Sequence, residues 1–240
     1  MTPDSVVIGR RFNGPPNSAN GGYACGVVAD AIGAAARVNL RAPPPLDVSL
    51  TWEREGDTTK LLDGEILIAD GVAASPSAEP ATAPSPAEAR AAAEGYPGRD
   101  PAAHLFPTCF VCGPLRGADG LRIFPGPVAG SELLACPWVP GSGLADSGGN
   151  VAPVYVWAAL DCPSGFACMP PDKTSVLASM TAELRGPVEP EREYVMVAYK
   201  VGSEGRKHRA VSSVHDSDGE CLAMAEALWI TIADPDRGQE

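Results

Sequence analysis

Two stretches of the chain are apolar or small almost without interruption. Residues 18–36 carry a single charge, Asp30, and residues 147–171 carry a single charge, Asp161. A helix that is apolar all round must be buried on nearly every side, which a curved sheet wrapped around it achieves. The segments beside these stretches read as strands. In front they are residues 5–12, 47–55 and 58–72, with Asp63-Gly64 as a bend or bulge. Behind, residues 121–124 and 132–137 precede the second helix, and residues 175–184, 193–201, 209–216 and 221–232 follow it. Val195, Val197, Tyr199 and Val201 alternate with Met196, Ala198 and Lys200, the period of two of a strand. Asp218-Gly219 between two such runs is a hairpin signal. Residues 223–228 favour helix by propensity, but the hairpin before them and the β-rich run after them make them strand. Strand, buried helix and antiparallel strands thus occur twice. Between the two sets, residues 73–103 are rich in Ala, Pro, Ser and Glu. They read as a linker with at most a short helical turn at 87–94. The expected organisation is an N-terminal unit over 1–72, the linker over 73–103, and a C-terminal unit over 104–240.

Each apolar stretch opens near a Gly-Gly pair, Asn20-Gly21-Gly22 in front and Ser147-Gly148-Gly149-Asn150 behind. The run Asn20-Gly21-Gly22-Tyr23-Ala24-Cys25-Gly26-Val27-Val28 resembles the His-Gly-Gly-Tyr helix start of acyl-CoA thioesterase-like double-hotdog proteins. Cys109-Phe110-Val111-Cys112-Gly113-Pro114, followed by Gly120-Leu121-Arg122-Ile123-Phe124, is similar to the opening of many small hotdog thioesterases. Trp157-Ala158-Ala159-Leu160-Asp161 is similar to the second-half helix of thioesterase II-like enzymes, which carries a catalytic aspartate. The resemblance covers most of the chain outside the linker. It implies an α+β double hotdog, with two antiparallel sheets each wrapped around a buried apolar helix. These form either one continuous sheet or an internal pseudo-dimer. In two respects the chain departs from the family pattern: Asn20 and Ser147 stand where the family has His, and Asp161 lies further beyond Gly149 than in the small enzymes.

Composition narrows the function. The chain has 18 Lys+Arg against 30 Asp+Glu, a formal net charge of −12. Such a surface repels phosphate backbones and anionic lipid, so neither nucleic acid nor membrane is an expected partner. No apolar run is long enough to span a bilayer, and the first residues show no signal peptide, so the cytoplasm is the expected compartment. The seven cysteines then read as free thiols. Cys109 and Cys112 form a C-x-x-C pair, but a zinc site needs further ligands at matched spacing. Cys136, His104 and Cys162 are not so patterned. Cys25, Cys162 and Cys168 lie in apolar helical context and read as core thiols.

The chemistry centres on carboxylates. Asp161, alone in an apolar helix, is costly to bury unless paired, hydrogen-bonded or protonated, and burial raises its pKa toward a useful range. It is the first candidate for general base or nucleophile on a thioester. The plainer alternative is that it ends its helix just before Cys162-Pro163. Asp30 is the second carboxylate candidate, by the same reasoning, or else it reaches the surface. Asn20, Gly21 and Gly22, and likewise Ser147, Gly148 and Gly149, are candidates for a helix N-terminus that holds a thioester oxyanion, or for ordinary caps and turns. Arg206, Lys207 and Arg209 form the densest basic cluster and could meet the phosphates of coenzyme A, unless they are only a solvated hairpin tip. The expected function is hydrolysis of acyl-CoA or acyl-carrier thioesters, with a small-molecule acyl thioester as partner. No cofactor or metal is needed beyond the coenzyme A of the substrate, and the reading allows a homodimer. The alternative is a non-catalytic acyl-binding or scaffold protein, which the missing His residues favour. A dehydratase ranks last, because neither helix carries a His.

Overall fold

The computed structural model describes residues 4–170 and 173–232. Residue 171, the end of the second apolar stretch, lies outside them. The N-terminal unit runs β1 (Ser5–Val7), α1 (Gly21–Ile32), β2 (Ala36–Leu40), β3 (Ser49–Glu55), β4 (Thr58–Asp63) and β5 (Ile66–Ala73). After α2 (Pro86–Ala93) comes the C-terminal unit. It runs β6 (Gly126–Pro127), β7 (Leu134–Trp138), α3 (Pro153–Cys168), β8 (Ser175–Leu184), β9 (Tyr194–Glu204), β10 (Lys207–His215) and β11 (Cys221–Thr231).

The strands form one antiparallel sheet in the order β1-β3-β4-β5-β2-β8-β11-β10-β9-β7-β6. The two antiparallel sheets expected are thus merged into one continuous sheet, the first of the two arrangements the resemblance allowed. Strands β1-β3-β4-β5-β2 and β7-β9-β10-β11-β8 follow the same order within their units. Pairing of β2 with β8, from Ala36 opposite Ala182 to Asn39 opposite Ser179, joins them edge to edge. Each unit would otherwise leave an unpaired edge strand here, and mutual pairing satisfies both. Sequence reading missed β2 because only three residues separate it from the end of the helix. Gly33, at φ 77°, turns the chain with its amide on the Ala29 carbonyl, the left-handed helix stop that glycine favours.

The duplication keeps a constant separation of 132 residues. The short 3-10 turn Arg10–Phe12 recurs as Ser142–Leu144, the bridge between Asn13 and Ala19 recurs between Ala145 and Val151, and the helix start Gly21 recurs as Pro153. Ser147, Gly148 and Gly149 therefore do not start a helix. They form an exposed turn that wraps the Asp146 carboxylate, which accepts from the Gly148 and Asn150 amides. Helix α3 begins later, with Pro153 at its first position and no side-chain cap.

Helices α1 and α3 lie on the same face of the sheet and pack against each other. Residues 156–165 of α3 are all buried. Pro163 lies inside α3 rather than ending it. It removes one backbone donor, and the Ser212 and Ser164 hydroxyls donate to the Leu160 and Asp161 carbonyls beside it, each at 2.6 Å. Contact between the helices is close at two glycines. A Cβ on Gly22 would stand 2.5 Å from Asp161 Cβ, and one on Gly26 would stand 2.8 Å from Trp157 Cβ.

Residues 73–103 are more ordered than a free linker. They cross the outer face of the C-terminal half. The Ser77 and Ala78 amides donate to the Glu226 carboxylate, and the Tyr199 hydroxyl donates to the Glu79 carbonyl at 2.7 Å. A reciprocal Ser85/Glu88 capping box starts α2, whose buried Ala89 and Ala92 pack on Val128, Ala135, Val195 and Val197. Residues 121–124, expected as a strand, instead pair outside the sheet. The Leu121 and Ile123 amides donate to the Phe110 and Val111 carbonyls at 2.8 and 2.9 Å.

Candidate active site

The start of α1 is fixed by Asn20. Its Oδ1 accepts the Tyr23 amide at 2.9 Å, an N-cap bond. The same side chain then turns its amide nitrogen to the other unit: Nδ2 donates to Asp161 Oδ2 at 2.6 Å. The Gly22 amide donates to the same oxygen at 3.0 Å. The carboxylate of α3 thus sits on the positive end of α1, where an anion is favoured. Glycine at position 22 is what lets α3 come near enough for this bond.

Asp161 is 2% exposed. Its second oxygen, Oδ1, is buried and has no partner among the described residues. Burial pushes the carboxyl up to about 7, against the lowering effect of the Gly22 amide and Asn20. Gly21, the first residue of α1, packs where a Cβ would meet Leu177 Cδ2 at 2.9 Å and Leu40 Cδ1 at 3.3 Å. The site therefore lies at the seam where β2 and β8 join the two units. The Gly22 and Tyr23 amides are taken by Asp161 and Asn20. The Gly21 amide has no partner among the described residues and is the donor left over at this helix end.

An aromatic group closes the outer side of this helix start. Phe12 stacks on Tyr23 with centroids 4.0 Å apart, and Phe110 stands edge-on to Phe12 at 5.2 Å. Tyr155 of α3 is tilted against Phe12 at 6.0 Å. Phe110 belongs to the loop that brings Cys109 and Cys112 to α3. There Cys109 Sγ lies 3.8 Å from Cys162 Sγ, and the three sulfurs of Cys109, Cys112 and Cys162 lie within 4.8 Å of one another. Asn20 Nδ2 also lies 3.9 Å from Cys162 Sγ, so one amide touches both the carboxylate and the thiol group. Sequence spacing did not show this cluster, since Cys162 reaches the C-x-x-C pair only through the fold. Its one local signal was the position of Cys162 directly after Asp161.

Asp161, Asn20, Gly21 and Gly22 come together; the other candidates do not join them. Asp30 is exposed on the last turn of α1. At the 132-residue separation the counterpart of Asp161 is not Asp30 but Ala29, which is buried. Ser147, Gly148 and Gly149 stay in their exposed turn. Arg206, Lys207 and Arg209 are exposed around the β9–β10 turn. This turn lies at the same end of the sheet as Leu177, because Lys207 pairs with Ile230 and Trp229 with Leu177. His208 between them is buried, its ring nitrogens on Ser203 and Thr231.

No helix among the described residues is long and apolar enough to cross a membrane. No protein-family model matches the sequence, and no curated protein matches it. Solved structures do match over nearly the whole chain. A protein from Novosphingobium aromaticivorans assigned as a thioesterase is 13% identical, with a TM-score of 0.62 over 97% of this chain and 98% of that one. The tesB protein of Mycobacterium avium subs paratuberculosis is 12% identical, with a TM-score of 0.61 over 92% of this chain and 90% of that one. A protein of unknown function with a hotdog fold from Alicyclobacillus acidocaldarius is 11% identical, with a TM-score of 0.50 over 96% and 92%. At these identities the likeness is one of architecture. With the repeated strand order and the paired buried helices, it establishes that the chain has the double-hotdog fold.

Proposed function

We propose that the protein hydrolyses acyl thioesters, with coenzyme A or an acyl carrier as the thiol, at the junction of Asp161 with the start of α1. The carrying observation is the carboxylate held by Asn20 and the Gly22 amide with one oxygen unpartnered. Two of the similar structures described above are assigned as thioesterases or carry the tesB name, in keeping with this reading. In the mechanism, Asp161 Oδ1 takes a proton from water as the water oxygen attacks the thioester carbonyl carbon. The carbonyl oxygen gains the charge and is met by the Gly21 amide at the positive end of α1. The tetrahedral intermediate collapses with cleavage of the C–S bond, and the proton on Asp161 passes to the leaving thiolate. In the same reading Arg206, Lys207 and Arg209 meet the phosphates of coenzyme A.

One observation favours the alternative, an acyl-binding or scaffold protein: Asp161 is sealed from solvent in the described structure. The test is thiol release from a panel of acyl-CoAs, from acetyl to palmitoyl and including aromatic acyl groups, with wild type beside Asp161→Asn. Turnover abolished by Asp161→Asn with the fold intact supports the hydrolase. Turnover that survives the substitution refutes the site, and no turnover on any member moves the assignment to acyl binding.

A further inference from the structure

The mechanism above uses Asp161 and leaves its neighbours Cys109, Cys112 and Cys162 without a task. Among the described residues this is the one group of His, Cys, Asp or Glu with metal-ligand geometry. We propose that these three cysteines bind one thiophilic divalent cation, zinc(II) in type, which clamps the 109–113 loop to α3. The inference stands independently of the thioesterase reading.

The distances carry it. Zinc binds thiolate at about 2.3 Å, so two sulfurs at corners of the same tetrahedron stand about 3.8 Å apart. Cys109 and Cys162 are 3.8 Å apart already, and Cys112 completes a triangle whose edges are all within 4.8 Å. The backbone is shaped for this. The loop turns back between the two cysteines, with the Gly113 amide on the Cys109 carbonyl at 3.0 Å. A Cβ on Gly113 would stand 2.5 Å from the Cys109 nitrogen, so the turn requires glycine.

Donors also point at the sulfurs. The Val111 amide donates to Cys109 Sγ at 3.4 Å, and Asn20 Nδ2 lies 3.9 Å from Cys162 Sγ. Amides of this kind support metal-bound thiolates from the second layer. Three thiolates around a dication carry one net negative charge, and these donors face it. The fourth corner of the tetrahedron is left to a solvent ligand, with Asp161 remaining on Asn20 and Gly22. The remaining cysteines, Cys25, Cys136, Cys168 and Cys221, belong to no such group.

The clamp would join distant parts of the chain. The same loop receives the Asn13 carbonyl from the N-terminal unit through the Phe110 amide at 2.8 Å. The cation would therefore fix the aromatic cover over α1 as well as the loop itself.

The test uses the full-length protein, purified under reductant, stripped with chelator and titrated anaerobically with cobalt(II). The expected result is one cobalt per chain, an intense thiolate-to-cobalt band in the near ultraviolet, tetrahedral ligand-field bands in the visible, and displacement by one equivalent of zinc(II). Cys109→Ser, Cys112→Ser and Cys162→Ser lose the one-to-one binding, while Cys136→Ser keeps it. If a reduced wild-type chain with native far-ultraviolet circular dichroism gives no thiolate-to-cobalt band, the proposal is wrong. It is equally wrong if the band persists unchanged in the folded Cys109→Ser and Cys162→Ser variants. The wild-type spectrum decides the matter even where a variant fails to fold.

Discussion

Gly22→Ala isolates the contact on which the site depends. The added methyl would stand 2.5 Å from Asp161 Cβ and 2.7 Å from the Trp157 carbonyl oxygen. Non-bonded carbons rest at about 3.5–4.0 Å, so α1 and α3 must separate by roughly 1 Å. Overpacking of this kind costs about 1–3 kcal/mol. Separation also stretches the 3.0 Å bond from the Gly22 amide to the carboxylate, and a hydrogen bond to a charged group contributes about 1.5–3 kcal/mol. Against this, alanine gains roughly 1 kcal/mol of helix propensity over glycine. The net expectation is a loss of roughly 1.5–5 kcal/mol. At the middle of that range, about 3 kcal/mol, Tm falls by roughly 6–12 °C for a chain of this size. Urea unfolding of wild type and variant, with m compared, measures it. Gly9→Ala is the control: nothing lies within 4 Å of where its methyl would stand, and the φ of −67° at this position suits alanine. It should stay within about 0.5 kcal/mol of wild type. If Gly22→Ala is as mild as Gly9→Ala, the helices are not in the contact described and the carboxylate site falls with it.

Four further outcomes follow from the same geometry. Asn20→Ala removes the cap of α1 and one of two donors to Asp161, and should cost about 2–4 kcal/mol in urea unfolding; a loss under about 0.5 kcal/mol contradicts the arrangement. Ala29→Asp places a carboxylate at the counterpart of Asp161. There position 152 is Ala, with no side-chain donor, and position 154 is Val, whose side chain fills the space that Gly22 leaves open, so at most the Val154 amide could meet it. It should destabilise by several kcal/mol or abolish folding, as read by circular dichroism. Replacing Arg206, Lys207 and Arg209 together by Ala should raise KM for acyl-CoA by up to about 10-fold, in a salt-dependent way, and leave a thioester of truncated pantetheine unaffected; equal effects on both substrates would remove the cluster from the binding surface. Burial holds the His215 pKa below its usual 6.5. Above about pH 6.5 the ring is neutral in both states and contributes no slope. As pH falls below that, the unfolded chain takes up a proton that the folded one refuses, so stability drops. Comparing unfolding free energies at about pH 7 and pH 5, His215→Gln should lose less than wild type.

What the sequence disclosed depended on how local the cause was. Strand β8 was read to the residue, because its alternation and its borders lie within Ser175–Leu184. Helix α3 was legible as a buried helix because nearly every residue in it is apolar or small. The Gly148-Gly149 pair misled because it lies near the second helix much as Gly21-Gly22 lies at the first, and only the fold shows that Asn20 corresponds to Ala152 and not to Ser147. Asp161 was identifiable as a costly carboxylate, but its partners lie 139 and 141 residues away in sequence, on the other unit. No local pattern reports such a pairing. The same holds for Cys162, which lies 53 residues from Cys109. Residues 73–103 pack more closely than their composition suggests, for another reason. Alanine-rich composition buries little area per residue, yet Ala89 and Ala92 need only a shallow apolar surface, and the outer face of β7 and β9 supplies it.

The duplication explains why the polar junction occurs once. Two-fold repetition places a helix start against the middle of the opposite helix twice, α1 against α3 and α3 against α1. At the first junction the contact is Asn20, Gly22 and Asp161; at the second the same positions are Ala152, Val154 and Ala29. Burying a carboxylate costs several kcal/mol unless donors meet it, and the start of α3 has no side-chain donor at Ala152 and a Val154 side chain where Gly22 leaves room for close approach. The second junction is therefore built as apolar packing, with Ala29 4% exposed. The first keeps a carboxylate near neutrality in the position where stability alone would prefer alanine. That the apolar solution is used at one junction and the costly carboxylate is kept at the other supports the proposal that places the chemistry at Asp161.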